Sequence, residues 1–246
     1  MKKGGFIFLV TLLAIACSKT KNISLQQVVD ESTIAQQSFI ALGVGAEYGY
    51  EEESKFPVFL WHEKMSGASN YRFFETKDKS SNPEDYGAYR EVRKPVTSER
   101  YLGFMDQTKL KSQKDRWGIV TFELADSLWV SNPIALLPQS RATQSMEVWL
   151  EIDVEGSDVT FSWIDGSYKE STKYLMMISD VNQNVVFAGT TTELFWNLYD
   201  EEALTESLLY PTLFELEVNQ NYSFTLIGLN ENNWGTIYLS KTFVTE

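Results

Sequence analysis

Between Asp158 and Asp180 the sequence DVTFSWIDGSYKESTKYLMMISD contains two short strand-like runs. Val159, Phe161 and Trp163 fall on one face of the first run, with Thr160 and Ser162 on the other. A polar loop, Asp165 to Lys173, leads to the second run, where Tyr174, Met176 and Ile178 oppose Leu175 and Met177. Period-two alternation over such short runs specifies half-buried antiparallel strands. Met146, Val148, Leu150, Ile152 and Val154 repeat the pattern just upstream. Shorter strand-like runs occur at Phe39–Leu42, Phe56–Trp61, Asn70–Glu75, Tyr101–Met105, Trp117–Leu124 and Trp129–Leu136. Beyond the central stretch, Asn184–Phe187, Glu193–Leu198, Phe214–Leu216, Tyr222–Leu229 and Ile237–Val244 continue it. The chain is therefore all-β, except that DEEALTESLLY, Asp200–Tyr210, has an acidic start followed by leucines and predicts a short helix.

A chain of 246 residues accommodates two ordinary domains. Seven Trp and twelve Tyr suit packed β-structure. The net charge is −13; without Lys2 and Lys3, in a leader expected to be removed, 19 basic residues face 34 acidic ones, or −15. Such a chain is repelled by nucleic acid and anionic surfaces, so no nucleic-acid partner is expected. The single cysteine, Cys17, precludes an intrachain disulfide.

The basic start, the apolar run Phe6–Ile15 and the small residues before Cys17 form a leader too short for a stable membrane span. Leu13-Ala14-Ile15-Ala16-Cys17 resembles a bacterial lipoprotein signal, with Ala14 where leucine is commonest. The resemblance implies that residues 1–16 are cleaved and that Cys17 is lipidated. The partner it implies is a membrane, met through that anchor in the cell envelope. Lys19 and Lys21, with no acidic run after Cys17, favour the periplasmic side of an outer membrane. Residues 17–37 are polar and are expected to be a tether, with Leu25, Val28 and Val29 allowing a short helical turn. Domains are expected over 38–140 and 141–246, with the boundary in Pro138–Thr143.

Aromatic landmarks recur between the two halves. Phe59-Leu60-Trp61 matches Phe161-Ser162-Trp163 at an offset of 102, Tyr71 matches Tyr174 at 103, and Trp117 matches Tyr222 at 105. A period near one hundred residues exceeds solenoid repeats and implies duplicated domains. Each half resembles a fibronectin type III domain. Trp163 corresponds to that family's strand-B tryptophan and Tyr174 to its strand-C tyrosine. Leu216 stands six residues before Tyr222, the spacing of the family's leucine and corner tyrosine. In the first half Trp61 and Tyr71 match, and Trp129–Pro133 is similar to the last strand, but Trp117 replaces the corner tyrosine. The resemblance implies two tandem immunoglobulin-like, fibronectin type III-like β-sandwiches, a fold that does not itself specify a function.

One histidine and one cysteine leave few nucleophile–base arrangements, and His62, next to Trp61, is expected to face solvent. Phosphate loops and Cys/His metal spacings are missing from the sequence. The acidic runs Glu51–Glu53 and Asp200–Glu202 lack the alternating spacing of a calcium loop. No enzyme activity, cofactor or metal is expected. Trp196, Tyr199 and Trp234 lie outside the repeated core pattern. With Asp200, Glu201, Glu202 and Glu206 they are the candidate contacts for an envelope protein partner or, alternatively, a glycan. If exposed, these aromatics could stack on sugar or anchor an interface; otherwise Trp196 packs under the helix and Trp234 caps the sandwich. Any ligand is expected to use Glu193–Pro211 and the Asn230–Gly235 turn.

Overall fold

The computed structural model describes residues 23–35, 39–45, 58–92, 96–101, 105–111, 114–140, 142–156, 158–209 and 215–246. A short helix, α1 (Leu25–Asp30), precedes the strands of the first half. These are β1 (Ala41–Gly45), β2 (Val58–Glu63), β3 (Ser69–Glu75), β4 (Arg90–Glu91), β5 (Val96–Tyr101), β6 (Met105–Leu110), β7 (Arg116–Leu124), β8 (Ser127–Val130) and β9 (Ile134–Leu136). The second half contributes β10 (Leu150–Glu155), β11 (Asp158–Trp163), β12 (Lys173–Ser179), β13 (Val185–Thr191), β14 (Phe195–Asn197), β15 (Glu206–Leu209), β16 (Asn221–Leu229) and β17 (Trp234–Val244).

The second half is a two-layer sandwich with β10-β11-β14 opposite β13-β12-β16-β17. These strands take positions A, B, E and C′, C, F, G of a fibronectin type III-like domain. The first half places β1-β2-β6-β5 opposite β4-β3-β7-β8, with β9 also pairing β7. Its strands take positions A, B, E, D and C′, C, F, G, the immunoglobulin-like variant with a fourth strand in the first layer. The fold is thus all-β, as the alternation predicts.

The two sandwiches are not merely linked. β1 pairs in parallel with β17, so one continuous nine-stranded sheet, β15-β13-β12-β16-β17-β1-β2-β6-β5, belongs to both. One face of this sheet covers the two sandwich cores. On the other face, Leu42, Val44, Trp61 and Met105 from the first half meet Leu175, Met177, Ile227 and Leu229 from the second in a third buried cluster. Both faces of the sheet are thus buried along its middle. Trp61 meets Tyr238 in a T-shaped contact at 5.9 Å between ring centroids.

This arrangement corrects the matching of the two halves. Along β2, Val58 and Leu60 face the first sandwich's core, so Trp61 points the other way, into the shared cluster. His62 takes the inward place: it is buried and stacks on Tyr71 with ring centroids 4.9 Å apart. In the second half Trp163 meets Tyr174 at 5.4 Å in the corresponding position. His62, expected at the surface, is thus the first sandwich's counterpart of Trp163. Tyr222 makes the corner contact that its spacing implies, its hydroxyl accepting from the Glu217 amide at 3.0 Å. Trp117 instead donates its Nε1–H to the Lys79 carbonyl oxygen, 3.2 Å away in the β3–β4 connection.

Two further expectations change. Residues 23–35 are part of the first sandwich and not free tether. Ser24 caps α1 in a reciprocal capping box with Gln27, and Leu25 and Val28 are buried in the first core. The Leu25 amide donates to the Tyr89 carbonyl, and Thr33–Ala35 exchange backbone hydrogen bonds with Leu128, covering the edge of β8. The predicted helix at Asp200–Tyr210 is one turn followed by β15; Tyr210 lies outside the described residues. The turn has an Asp200 carboxylate accepting from the Ala203 amide, but the segment then pairs with the free edge of β13. Backbone partners on that edge outweigh a weak helical preference. Glu215 and Leu216 are not in a strand, and Phe214 lies outside the described residues.

Candidate functional site

The aromatic site expected from the sequence is not an open platform. Trp196 is 0% exposed. It stacks on Phe187 at 4.5 Å and on Phe161 at 5.6 Å, both within about 15° of parallel. Its Nε1–H donates to the Asp200 carbonyl oxygen at 3.0 Å, which satisfies the buried indole and fixes the turn above it.

Trp234, also 0% exposed, packs within the core of the first sandwich although it belongs to the second. The β16–β17 turn carries it there. Asn230 Oδ1 accepts from the Asn232 and Trp234 amides, shaping the turn tip. The tip's Asn232 and Asn233 carbonyls then accept from the Ala135 and Gly43 amides of the first sandwich at 2.9 and 3.0 Å. The Asn230–Gly235 turn is therefore a plug between the sandwiches and not a ligand loop. Thr143, in the connection between halves, accepts from the Gly45 amide and donates to the Gly235 carbonyl, at 2.8 and 2.7 Å. The connection is thereby bonded to both sides.

Tyr199 is half-exposed, with a left-handed backbone (φ +72°), and its hydroxyl accepts from the Leu216 amide at 3.3 Å. Glu201 and Glu202 are solvated on the turn, and Asp200 is held by its contacts to Ala203 and Trp196. The structure thus leaves Tyr199, Glu201, Glu202 and Glu206 accessible but withdraws both tryptophans. A sugar ring would have no paired aromatic floor there, so the glycan expectation loses its physical basis.

Glu206 lies elsewhere, at a cleft between the halves lined by Ile40, Leu175 and Leu229 with Lys173 and Asn233. Its free volume, about 70 Å³, holds a few waters. Burial pushes the nearby Glu63 carboxyl above its usual range; the Ile40 amide opposes this, and the Glu206 carboxylate adds to it. Among the described residues, no carboxylates and His converge as metal ligands. Glu51–Glu53 and Cys17 lie outside the described residues. His62 is held neutral: burial lowers its pKa, more than contact with the Glu63 carbonyl and the Asp106 charge raise it. Its ring sits against Tyr71 inside the sandwich, and the residue is 5% exposed.

The accessible feature that sequence reasoning missed is the outer face of β10-β11-β14. Register places Glu151 opposite Ser162 and Ser162 opposite Phe195; Asp153, Thr160 and Asn197 form the next row. Phe195 is 49% and Ile164 56% exposed. Both stand at outward positions of a strand pattern, where solvated side chains are expected. Sequence alone left this open, because Phe195 is outward only if its neighbour Trp196 is core, which the structure decides.

No protein-family model and no curated protein matches the chain. Among solved structures, it is similar to the FN1–FN3 domains of chicken CNTN1, at 13% identity over 87% of this chain and 69% of that one, with a TM-score of 0.29. It is also similar to a two-domain fibronectin type III segment of chicken tenascin, at 12% identity over 76% and 92%, with a TM-score of 0.31. The all-β, tandem-sandwich fold rests on the strand pairing described above.

Proposed function

We propose that the chain is a lipid-anchored cell-envelope protein that binds or assembles other envelope components without catalysis. The observation that carries this reading is the third core. A continuous sheet, the Trp234 plug and the Thr143 bonds make two sandwiches into one block, which presents surfaces at fixed spacing. The one histidine in the sequence is buried and held neutral, which leaves it poorly placed for acid–base work. Attachment rests on the leader and Cys17. Several acyl chains, each contributing about 0.8 kcal/mol per buried CH₂, give durable anchoring where one does not. Only five residues separate Cys17 from Ile23, which is already bonded to the first sandwich through the Glu91 amide. At about 3.4 Å per extended residue the block stands within about 20 Å of its anchor, on the periplasmic side of an outer membrane.

Fractionation of Cys17→Ala tests the anchoring. Release of the protein to the soluble fraction, or retention of the uncleaved leader, supports it. A processed variant that still sediments with membranes overturns it.

A further inference from the structure

The outer face of β10-β11-β14 has an unusual composition for the solvated side of a small sheet. Its rim carries Glu151, Asp153 and Glu155 on β10, Asp158 on β11 and Glu193 beside β14, all exposed. The outward positions of these strands include no Lys or Arg. Lys241, at the inner edge of β10, donates its Nζ–H to the Leu150 carbonyl oxygen. Within this acidic border, Ile164 and Phe195 are diagonal cross-strand neighbours, since the Trp163 amide bonds the Leu194 carbonyl and Ser162 pairs with Phe195. Diagonal pairs lie within reach of an aromatic ring.

Two independent properties therefore coincide: exposed apolar anchors and a field of one sign. Trp196 and Phe161 behind the face are fully buried, so the anchors sit on a rigid floor. An anionic lipid surface or a nucleic acid would be repelled here. A glycan would gain contact from Phe195 but nothing from desolvating a row of carboxylates. A polypeptide with Lys or Arg alternating with apolar side chains satisfies both properties. Its apolar side chains cover Phe195 and Ile164, and its cations reach the rim without leaving water entirely.

We propose that this face is the docking surface for a basic, apolar-anchored protein segment, with Phe195 and Ile164 as anchors and Glu151, Asp153 and Glu155 as the charge-reading rim. The inference deepens the binding reading above and rests on it for the setting in which the partner is met.

The test uses the mature full-length chain and two labelled synthetic peptides, one alternating Lys with Leu and one alternating Glu with Leu, followed by fluorescence anisotropy at low and high salt. The Lys peptide is expected to bind and to weaken as salt rises, and the Glu peptide not to bind. Glu151→Gln, Asp153→Asn and Glu155→Gln together, and Phe195→Ser alone, should each weaken binding about tenfold. Circular dichroism should show both variants folded, because every substituted side chain points to solvent. Removing equal charge elsewhere, with Glu201→Gln, Glu202→Gln and Glu206→Gln, should change affinity little. Binding that is unchanged in both face variants overturns the proposal. So does binding lost instead in the Glu201–Glu202–Glu206 variant, or equal binding of the two peptides. These outcomes are independent of membrane fractionation, so a failed docking face and a failed anchor are told apart.

Discussion

Gly43 of the first sandwich is paired in parallel register with Trp234 of the second, and the indole lies where a side chain on residue 43 would be. A Cβ built there stands 3.0 Å from both Trp234 Cε3 and Leu136 Cδ2. A strand interior disfavours glycine unless something must come close, and here the neighbouring sandwich does.

Gly43→Ala should therefore loosen the junction of the two halves. Overpacking of this kind costs about 1–3 kcal/mol. Urea denaturation of the full chain should show a lower midpoint. An unchanged midpoint would mean the two sandwiches are not docked through this ladder.

A fragment from Thr143 to Glu246 should fold, because its own core contains no residue of the first half. It should nevertheless be weaker and stickier than the same sandwich in the full chain. Leu175, Met177, Ile227 and Leu229 lose their cover, and each fully buried side chain of that size contributes about 1.5–3 kcal/mol. Dye binding to exposed apolar surface and a red-shifted Trp234 emission are the expected readouts. A fragment that is silent to the dye and as stable as the intact chain would contradict the shared third core.

Acid should destabilise the first sandwich through His62. Burial lowers its folded pKa below the ordinary 6.5, so the unfolded chain binds the proton first. Stability is thus present above about pH 6.5 and is lost as pH falls through that value toward the folded pKa. His62→Phe keeps a ring against Tyr71 and should flatten this part of the stability–pH curve. Parallel curves for wild type and variant between pH 7 and pH 5 (about the range His titrates) would remove His62 as the cause.

The corner of the second sandwich yields a smaller effect. Tyr222→Phe removes the acceptor of the Glu217 amide, and a hydrogen bond of this type contributes about 0.5–1.5 kcal/mol. Trp163→Ala, in the same core, should cost about 3–5 kcal/mol. Equal losses from the two substitutions, measured by chemical denaturation, would show that the corner is more than a local restraint.

The second sandwich was readable because local chemistry and global packing agree there. In β11, Val159, Phe161 and Trp163 alternate with Thr160 and Ser162 on a partly exposed outer face, so period and burial coincide there. The first half was harder to read because its β2 is buried on both sides. With apolar residues on either face, alternation no longer says which face is the core, and Trp61 and His62 exchange the places that sequence matching gives them. The short helical turn expected at Leu25, Val28 and Val29 is α1, capped by Ser24 and Gln27; what the polar surroundings concealed is that Leu25 and Val28 pack into the first core.

The candidate contacts divide in the same way. The acids Glu201 and Glu202 are exposed because solvation alone decides the position of an unpaired carboxylate. The tryptophans were not decidable from sequence, since a large aromatic in an irregular segment serves equally well as a surface anchor or as a plug. What the sequence by itself determined was the strand period, the number of sandwiches and the places of Trp163, Tyr174 and Tyr222 in the second core. What only the tertiary structure decided was the joining of β1 to β17, which buries Trp234 and turns two modules into one block. That contact spans residues about two hundred positions apart, and no local pattern encodes the loss of solvent it brings.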